Sequence, residues 1–228
     1  MSGNIVDHYY DQSGCNYRMS STRRERVLGL LDSAIERSAG AGLRLLDIGI
    51  GSGEIPRHCR ENTNSKNLII EGIDITETSI KKHERLYDSV RVLNVEDDEW
   101  THSFSDQFDV VVASELVEHL FRPDIFLKTL SEIIVPRGYI VLSTPNMLLW
   151  SQRIKFMLGR HAYAETGVFE WGHIHLFSWR FLKAQIEVNN FSIVETNHLL
   201  HPNMLNPLHK ILPAGLFAFQ FIILAQKR

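Results

Sequence analysis

Short apolar runs alternate along this chain with longer stretches in which apolar residues recur three and four positions apart. The runs cover residues 43–50, 68–75, 90–95, 108–114 and 139–144. Each is apolar nearly throughout and gives way to polar or turn residues, which predicts strands covered on both faces by helices. Between them, 54–60 follows a glycine loop, and 76–87 opens on Thr76 as a cap with an acidic first turn. The stretch 123–134 repeats apolar residues at helical spacing, with Pro123 in the first turn, where proline is tolerated. Strand and helix in this rhythm predict βαβ crossovers and a mostly parallel sheet.

The last third reads differently. Residues 145–172 are loop-like and rich in aromatic and basic side chains, with one helix predicted over 148–158. A second helix is predicted over 178–189, capped by Ser178. Two strands, 191–196 and 216–226, follow with only an irregular, Pro-containing stretch between them. Without a crossover helix, that pair predicts an antiparallel edge on the parallel sheet.

Composition adds bounds. The chain has 228 residues, 44% hydrophobic and 22% charged, enough for one substantial core. A net charge of -3 supplies no global field for nucleic acid or anionic lipid, which argues against a dedicated RNA or DNA binder. Cys15 and Cys59 share no CxxC spacing, so a reducing, cytoplasmic setting is expected instead of a disulfide framework. The first residues lack a basic-then-apolar layout, so no signal peptide is expected. The run 211–225 carries Pro213, Gly215 and Gln220 and falls short of the roughly 20 apolar residues a spanning helix needs. It reads as a buried strand and its approach.

The segment LLDIGIGSGE sets Gly49, Gly51 and Gly53 directly between the first strand and a helix. Such a loop needs residues without a Cβ, and it brings backbone N–H groups and the helix N-terminus close to a ligand. Asp47 ends the strand before the glycines. Asp74 closes the second strand in EGIDIT, about 20 residues on, where an acid can accept hydrogen bonds from ribose hydroxyls. A dinucleotide site prefers GxGxxG, which would put a glycine at position 54. That position is Glu54, whose carboxylate would repel a pyrophosphate, whereas S-adenosylmethionine carries no phosphate and has cationic sulfonium and amino groups.

On these residues the chain resembles the class I S-adenosylmethionine-dependent methyltransferases over most of its length. LLDIGIGSGEI is similar to their first motif and EGIDIT to their second, which implies cofactor binding by Asp47, Gly49, Gly51, Gly53, Asp74 and Ile75. NVEDDEW resembles the third, with Asn94, Val95 and Glu96 at the positions flanking adenine. FDVVVASELVEHLFRPDIFL resembles the fourth and brings in Ser114 and Glu115; VPRGYIVLSTPN resembles the fifth, with Arg137-Gly138 in place of the usual double glycine. FEWGHIHLFSWRFLKAQIEVNNFSIVE is similar to the segment after the sheet in the ubiquinone-biosynthesis O-methyltransferase branch. The resemblance implies an α/β, Rossmann-like, doubly wound and mostly parallel seven-stranded sheet with an antiparallel last strand. A single domain over 1–228 is expected: an N-terminal helical cap at 1–40, a cofactor-binding core at 41–145, an inserted lid or substrate segment at 146–177, and a C-terminal helix with a strand pair at 178–228.

SELVEHL puts Glu115, Glu118 and His119 beyond the fourth strand, at the carboxyl edge where such sheets bind ligands. In a helical turn Glu115 shares a face with Glu118 and His119. Three readings stay open. The group is structural, with Glu115 on the cofactor; or His119, assisted by Glu118, is a general base; or a divalent metal is held by Glu115, Glu118, His119 and a distant His173 or His175. The last echoes the E-x-x-E-H ligands of the small-RNA 2′-O-methyltransferases, and a mixed carboxylate and imidazole set leaves Mg, Mn or Zn open. His173 and His175 alternate, so on an extended segment both point the same way.

Trp150, Arg153, Lys155, Phe156, Arg160, His161, Tyr163 and Trp171 populate the inserted segment, as a water-excluding cover or simply as core. Tyr9, Tyr10, Tyr17 and Arg18 cluster near the N-terminus; the resemblance implies that such a segment closes over the cofactor, with Arg18 at its carboxylate. Arg23, Arg24 and Arg26 read as a solvated helix face. The expected reaction is in-line transfer of the sulfonium methyl to a small-molecule or glycan hydroxyl, with metal-assisted RNA 2′-O-methylation or a noncatalytic partner protein as alternatives.

Overall fold

The structure is a computed structural model, and it describes residues 20–38, 42–62, 67–160, 162–164 and 167–228. The apolar runs become β1 (Leu43–Ile48), β2 (Leu68–Asp74), β3 (Ser89–Val92), β4 (Phe108–Ser114) and β5 (Ile134–Pro145). β6 (Phe191–Thr196), β7 (Leu199–Leu200) and β8 (Ala218–Lys227) complete one sheet. Its order is β3-β2-β1-β4-β5-β8-β6, with the two residues of β7 also paired to β8. β1 to β5 are mutually parallel, and β8, the last strand, runs antiparallel to both β5 and β6. The chain winds outward from β1 to β3 and then returns to add β4 on the other side. The order therefore reverses between β1 and β4, and a crevice opens beyond their carboxyl ends.

Helices cover both faces: α1 (Ser21–Arg37), α2 (Glu54–Asn62), α3 (Glu77–His83), α4 (Pro123–Ile133), α5 (Trp150–Met157), α6 (Trp179–Val188) and the single turn α7 (Ala214–Phe217). The two cores follow strand parity. Leu46, Val111, Ala113, Ile140 and Leu142 point into one, with Phe126 and Leu130 of α4 and Leu182 of α6. Leu45, Ile70, Val110, Val112 and Val141 point into the other, with Val27, Leu31 and Ala34 of α1 and Ile55 of α2. Burial on both faces is what made these strands continuous apolar runs.

Element ends differ from expectation for local reasons. β5 begins at Ile134, directly after α4, and its pairing with β4 shifts register between Phe108 and Val110. β3 stops at Val92 at the sheet edge, where it has a single strand neighbour. The 76–87 helix divides into α3 and a 3-10 turn, Glu84–Leu86. Thr76 precedes α3 but makes no side-chain cap; its hydroxyl turns to Asp74 Oδ1 and Ser79 Oγ, each at 2.8 Å. Ser178 does cap α6, accepting the Phe181 N–H at 3.3 Å. Among the described residues no helix is long and apolar enough to cross a membrane, and the apolar run 211–225 resolves into α7 and most of β8.

The arginines of α1 are not a uniformly solvated face, which corrects the sequence reading. Arg23 is 12% exposed and pairs with Glu115 at 2.9 Å. Arg26 bonds the Asn197 side chain and the His198 carbonyl, and burial lowers its pKa. Of Arg23, Arg24 and Arg26, only Arg24 remains substantially exposed, 3.5 Å from Glu54. An amphipathic pattern identifies the apolar side of a helix, but not which polar residues border it and become buried on docking.

Candidate active site

β1 ends at Ile48 and α2 begins at Glu54; between them Gly49, Gly51 and Gly53 take φ of 81°, 50° and 68°. These left-handed values are costly for residues with a Cβ, which explains glycine at all three. Gly53 has a second reason, since a Cβ there would lie 2.9 Å from His83 Nδ1. The Gly49 N–H donates to the Ile73 carbonyl at 2.8 Å and ties the loop to β2. The loop floors a crevice of about 430 Å³, open to solvent and lined by Asp47, Gly49, Ile50, Gly51, Ser52, Glu54, Ile55, Ser114 and Glu115.

Asp47 is 3% exposed and accepts a 2.7 Å hydrogen bond from the Tyr87 hydroxyl. Burial pushes its carboxyl up to about 7, the Tyr87 bond opposes that rise, and the Asp74 charge adds to it. Asp74 sits at the end of β2 and receives the Thr76 N–H at 2.9 Å, again on Oδ1. Ile75 follows it, half-buried. Past β3, Asn94 and Val95 are half-buried, and Asn94 Oδ1 accepts the Glu96 N–H at 3.1 Å. The Glu96 carboxylate accepts the N–H groups of Phe121 and Arg122 at 2.6 and 3.1 Å, so its side chain anchors the approach to α4. Asn94, Asp74, Asp47 and Ser114 therefore lie in sheet order along the carboxyl edge.

Glu115 departs from the expected helical turn. It adopts φ 55° before the 3-10 turn Val117–His119, so it does not share a helical face with Glu118 and His119. Such backbone strain in a non-glycine residue needs support. Ser143 supplies it, donating its hydroxyl to Glu115 Oε1 at 2.7 Å, and Arg23 holds Oε2. Neither Ser143 nor Arg23 carries a local sequence signal for this role. They reach Glu115 only because β5 lies beside β4 and α1 docks across both.

Glu118, His119 and His173 form a second cluster, with one ligand-type atom from each within 4.8 Å of the others. Glu118 is 1% exposed, and neither oxygen makes a well-formed hydrogen bond among the described residues. Burial first, then the Glu115 charge, pushes its carboxyl well above the ordinary range; the adjacent Thr144 hydroxyl and Arg23 oppose this weakly. His119 Nδ1 lies 2.9 Å from the Gly172 carbonyl, and His173 Nδ1 lies 3.0 Å from that of Val168. A carbonyl only accepts, so both rings carry a proton on Nδ1. Burial, with the His173 ring beside it, lowers His119 to about 4, so this imidazole is neutral.

Two expected metal ligands fall elsewhere. Glu115 is committed to Arg23 and Ser143, and His175 Nε2 faces the Phe121 carbonyl at 3.1 Å. His173 and His175 have different partners: the His173 ring meets the Val168 carbonyl and the His119 ring, and the His175 ring meets the Phe121 carbonyl. Tyr9, Tyr10, Tyr17, Arg18 and His161 lie outside the described residues. The aromatic side chains of 146–177 divide. Trp150 stacks on His201 and donates to its carbonyl, while Tyr163 and Trp171 stack at 5.2 Å as an exposed pair.

A doubly wound sheet with its last strand antiparallel, and a glycine cradle bordered by acids at the switch point, is the framework of a class I S-adenosylmethionine-dependent methyltransferase. The profile of a family described as "Methyltransferase domain" matches residues 19–196, and the chain belongs to that family. It is 27% identical over 214 residues to a mitochondrial ubiquinone biosynthesis O-methyltransferase of Schizosaccharomyces pombe, covering 88% of this chain and 74% of that protein. The Rattus norvegicus protein of the same description is 26% identical, across 68% of this chain; the match spans about half of that relative (47%). A SAM-dependent methyltransferase from Archaeoglobus fulgidus superposes with a TM-score of 0.65 at 25% identity, over 96% of this chain and 100% of that one.

The residues present fit S-adenosylmethionine. The cradle admits a ligand where a Cβ would be strained, and the Asp47 and Glu54 carboxylates on its border suit a cationic ligand better than a pyrophosphate.

Proposed function

We propose that this enzyme methylates a hydroxyl oxygen of a small molecule or glycan, with Asp47, the glycine loop and Asp74 holding the cofactor and Glu118 and His119 serving the acceptor. The observation that carries this reading is the buried Glu118–His119–His173 cluster, next along the chain from Glu115, which lines the crevice. S-adenosylmethionine, when bound, supplies a methyl group already activated by its sulfonium. The protein's work is alignment, exclusion of water and disposal of one proton. His119 accepts that proton at Nε2, its ring oriented by the Nδ1–H bond to Gly172. Its lowered pKa makes it a weak base until a charge forms beside it, and Glu118, whose buried carboxyl favours the protonated form, can orient the acceptor oxygen by a hydrogen bond. A hydroxyl acceptor is also supported by the named activity of the relatives. Cytoplasmic residence, and no dedicated role in nucleic-acid binding, belong to the same reading.

The cluster favours a second reading, in which Glu118, His119 and His173 bind a divalent metal. Imidazoles anchored through Nδ1 to backbone carbonyls, beside a buried carboxyl, match how metal ligands are oriented. Such an ion would supply Lewis acidity toward the acceptor oxygen. One screen tests both readings: transfer of labelled methyl to phenolic quinol precursors, sugars and short RNA, with and without chelator. Turnover on a phenolic or sugar hydroxyl is expected. Turnover on RNA alone overturns the first reading, and a rate untouched by chelator removes the second.

A further inference from the structure

We infer that Tyr87 is a positioning residue for the cofactor: its hydroxyl, lodged behind the glycine loop, keeps the Asp47 carboxylate ionised and presented to the crevice, and so sets the pH at which S-adenosylmethionine binds. Tyr87 follows the 3-10 turn after α3, and its N–H returns to the Glu84 carbonyl at 3.1 Å. That turn drops the ring onto β2 at Gly72. A Cβ on Gly72 would lie 2.7 Å from Tyr87 Cε1, so glycine leaves the seat the ring fills. Gly72 is also the register partner of Asp47 on the neighbouring strand, which places that seat beside the carboxylate. The phenol then reaches Asp47 Oδ2 at 2.7 Å and is its only side-chain donor among the described residues.

The surroundings give this single donor its weight. Asp74 faces Asp47 from β2, Cys59 and Glu54 from α2, and Glu115 with its partner Arg23 from across the crevice. The cations nearby are Arg23 and Arg24, each engaged by its own carboxylate, Glu115 and Glu54, and the His83 ring behind Gly53 has its pKa lowered, first by burial. A buried carboxylate in acidic surroundings takes up a proton unless hydrogen bonds to its charged form oppose burial. Tyr87 is itself held in the protonated form, first by burial and then by the Asp47 charge, so it remains a donor at working pH. A charged Asp47 attracts the cationic groups of the cofactor, and a protonated one does not.

The test is calorimetry of S-adenosylmethionine and S-adenosylhomocysteine binding between pH 6 and 9, on wild type, Tyr87→Phe, Asp47→Asn and the double variant. Wild-type affinity is expected to rise with pH through the ionisation of Asp47. Tyr87→Phe should weaken binding about fivefold at pH 7 and move the midpoint up by about one on the pH scale. Asp47→Asn should erase the pH step, and adding Tyr87→Phe to it should cost nothing more. An unmoved midpoint in Tyr87→Phe overturns the proposal; so does an equal loss in both backgrounds, which would mark Tyr87 as structural. Gly72→Ala keeps the hydroxyl but displaces the ring, and carries the test if Tyr87→Phe does not fold. The same upward shift is expected, and an unmoved midpoint there also overturns the proposal.

Discussion

The carboxyl edge of the sheet has two halves built in opposite ways. Toward β1 to β3, the cofactor half consists of residues adjacent in sequence: Asp47, three glycines within seven residues, and Asp74 at the next strand end. Toward β4 and β5, the acceptor half is assembled from four distant segments. Arg23 comes from α1, Ser143 from β5, Glu115 to His119 from the turn after β4, and Gly172 to His175 from the insert. Three contacts tie that insert to the turn after β4: the His175 N–H to the Glu118 carbonyl, the His119 ring to the Gly172 carbonyl, and the His175 ring to the Phe121 carbonyl. On the proposed reading, the first half meets an invariant ligand with backbone geometry. The second is made of side chains whose partners can change with the acceptor, as loops on a fixed scaffold allow.

If the halves are separable, variants should divide cleanly between turnover and cofactor affinity. His119→Ala should lower kcat by about 10²–10⁴ while the dissociation constant of S-adenosylmethionine stays within about twofold. Steady-state kinetics beside calorimetry reads this, and an equal loss of cofactor affinity would break the division. Gly53→Ala should do the reverse. Its φ of 68° and the approach of His83 strain any Cβ, so cofactor affinity should fall by about 10–100-fold, seen by calorimetry.

Arg23→Ala addresses the seam between the halves. It leaves Glu115 charged beside Glu118 without its guanidinium, and a loss of roughly fivefold in both cofactor affinity and kcat is expected, larger at low salt. A change in only one parameter would assign Glu115 to one half. The smallest effect concerns stability without ligand. The folded Asp47 carboxyl ionises near 7 against 3.8 in the unfolded chain, so it holds its proton better when folded. Its contribution is complete below about 4 and is lost as pH rises toward 7. Asp47→Asn should therefore raise the melting temperature by a few degrees at pH 8 relative to wild type, with less gain at pH 5. Scanning calorimetry at the two values checks this.

How far the site was legible depends on where each residue's partner lies. The glycines declare their backbone conformation, and Asp47 and Asp74 declare a position at strand ends. Tyr87 gives no such sign: an aromatic residue after a helix reads as core until Gly72 is seen beneath its ring. Arg23 looked solvated because its partner is far away in sequence. Strand parity treats His173 and His175 alike, and only their carbonyl partners, Val168 and Phe121, tell them apart. Glu115 seemed to belong to a helical face until its left-handed backbone removed it.

By itself the sequence determined the alternation of strands and helices, the parallel sheet with its late antiparallel strand, and the cofactor cradle. All of these rest on local rules, since side-chain period and allowed φ are properties of neighbouring residues. Only the tertiary structure decided that Arg23 and Ser143 hold Glu115, that Tyr87 backs Asp47, and that His173 joins Glu118 and His119. Those pairings depend on which segments a docked helix, a sheet neighbour and an inserted loop bring within hydrogen-bond range, and burial then sets the charge each group carries.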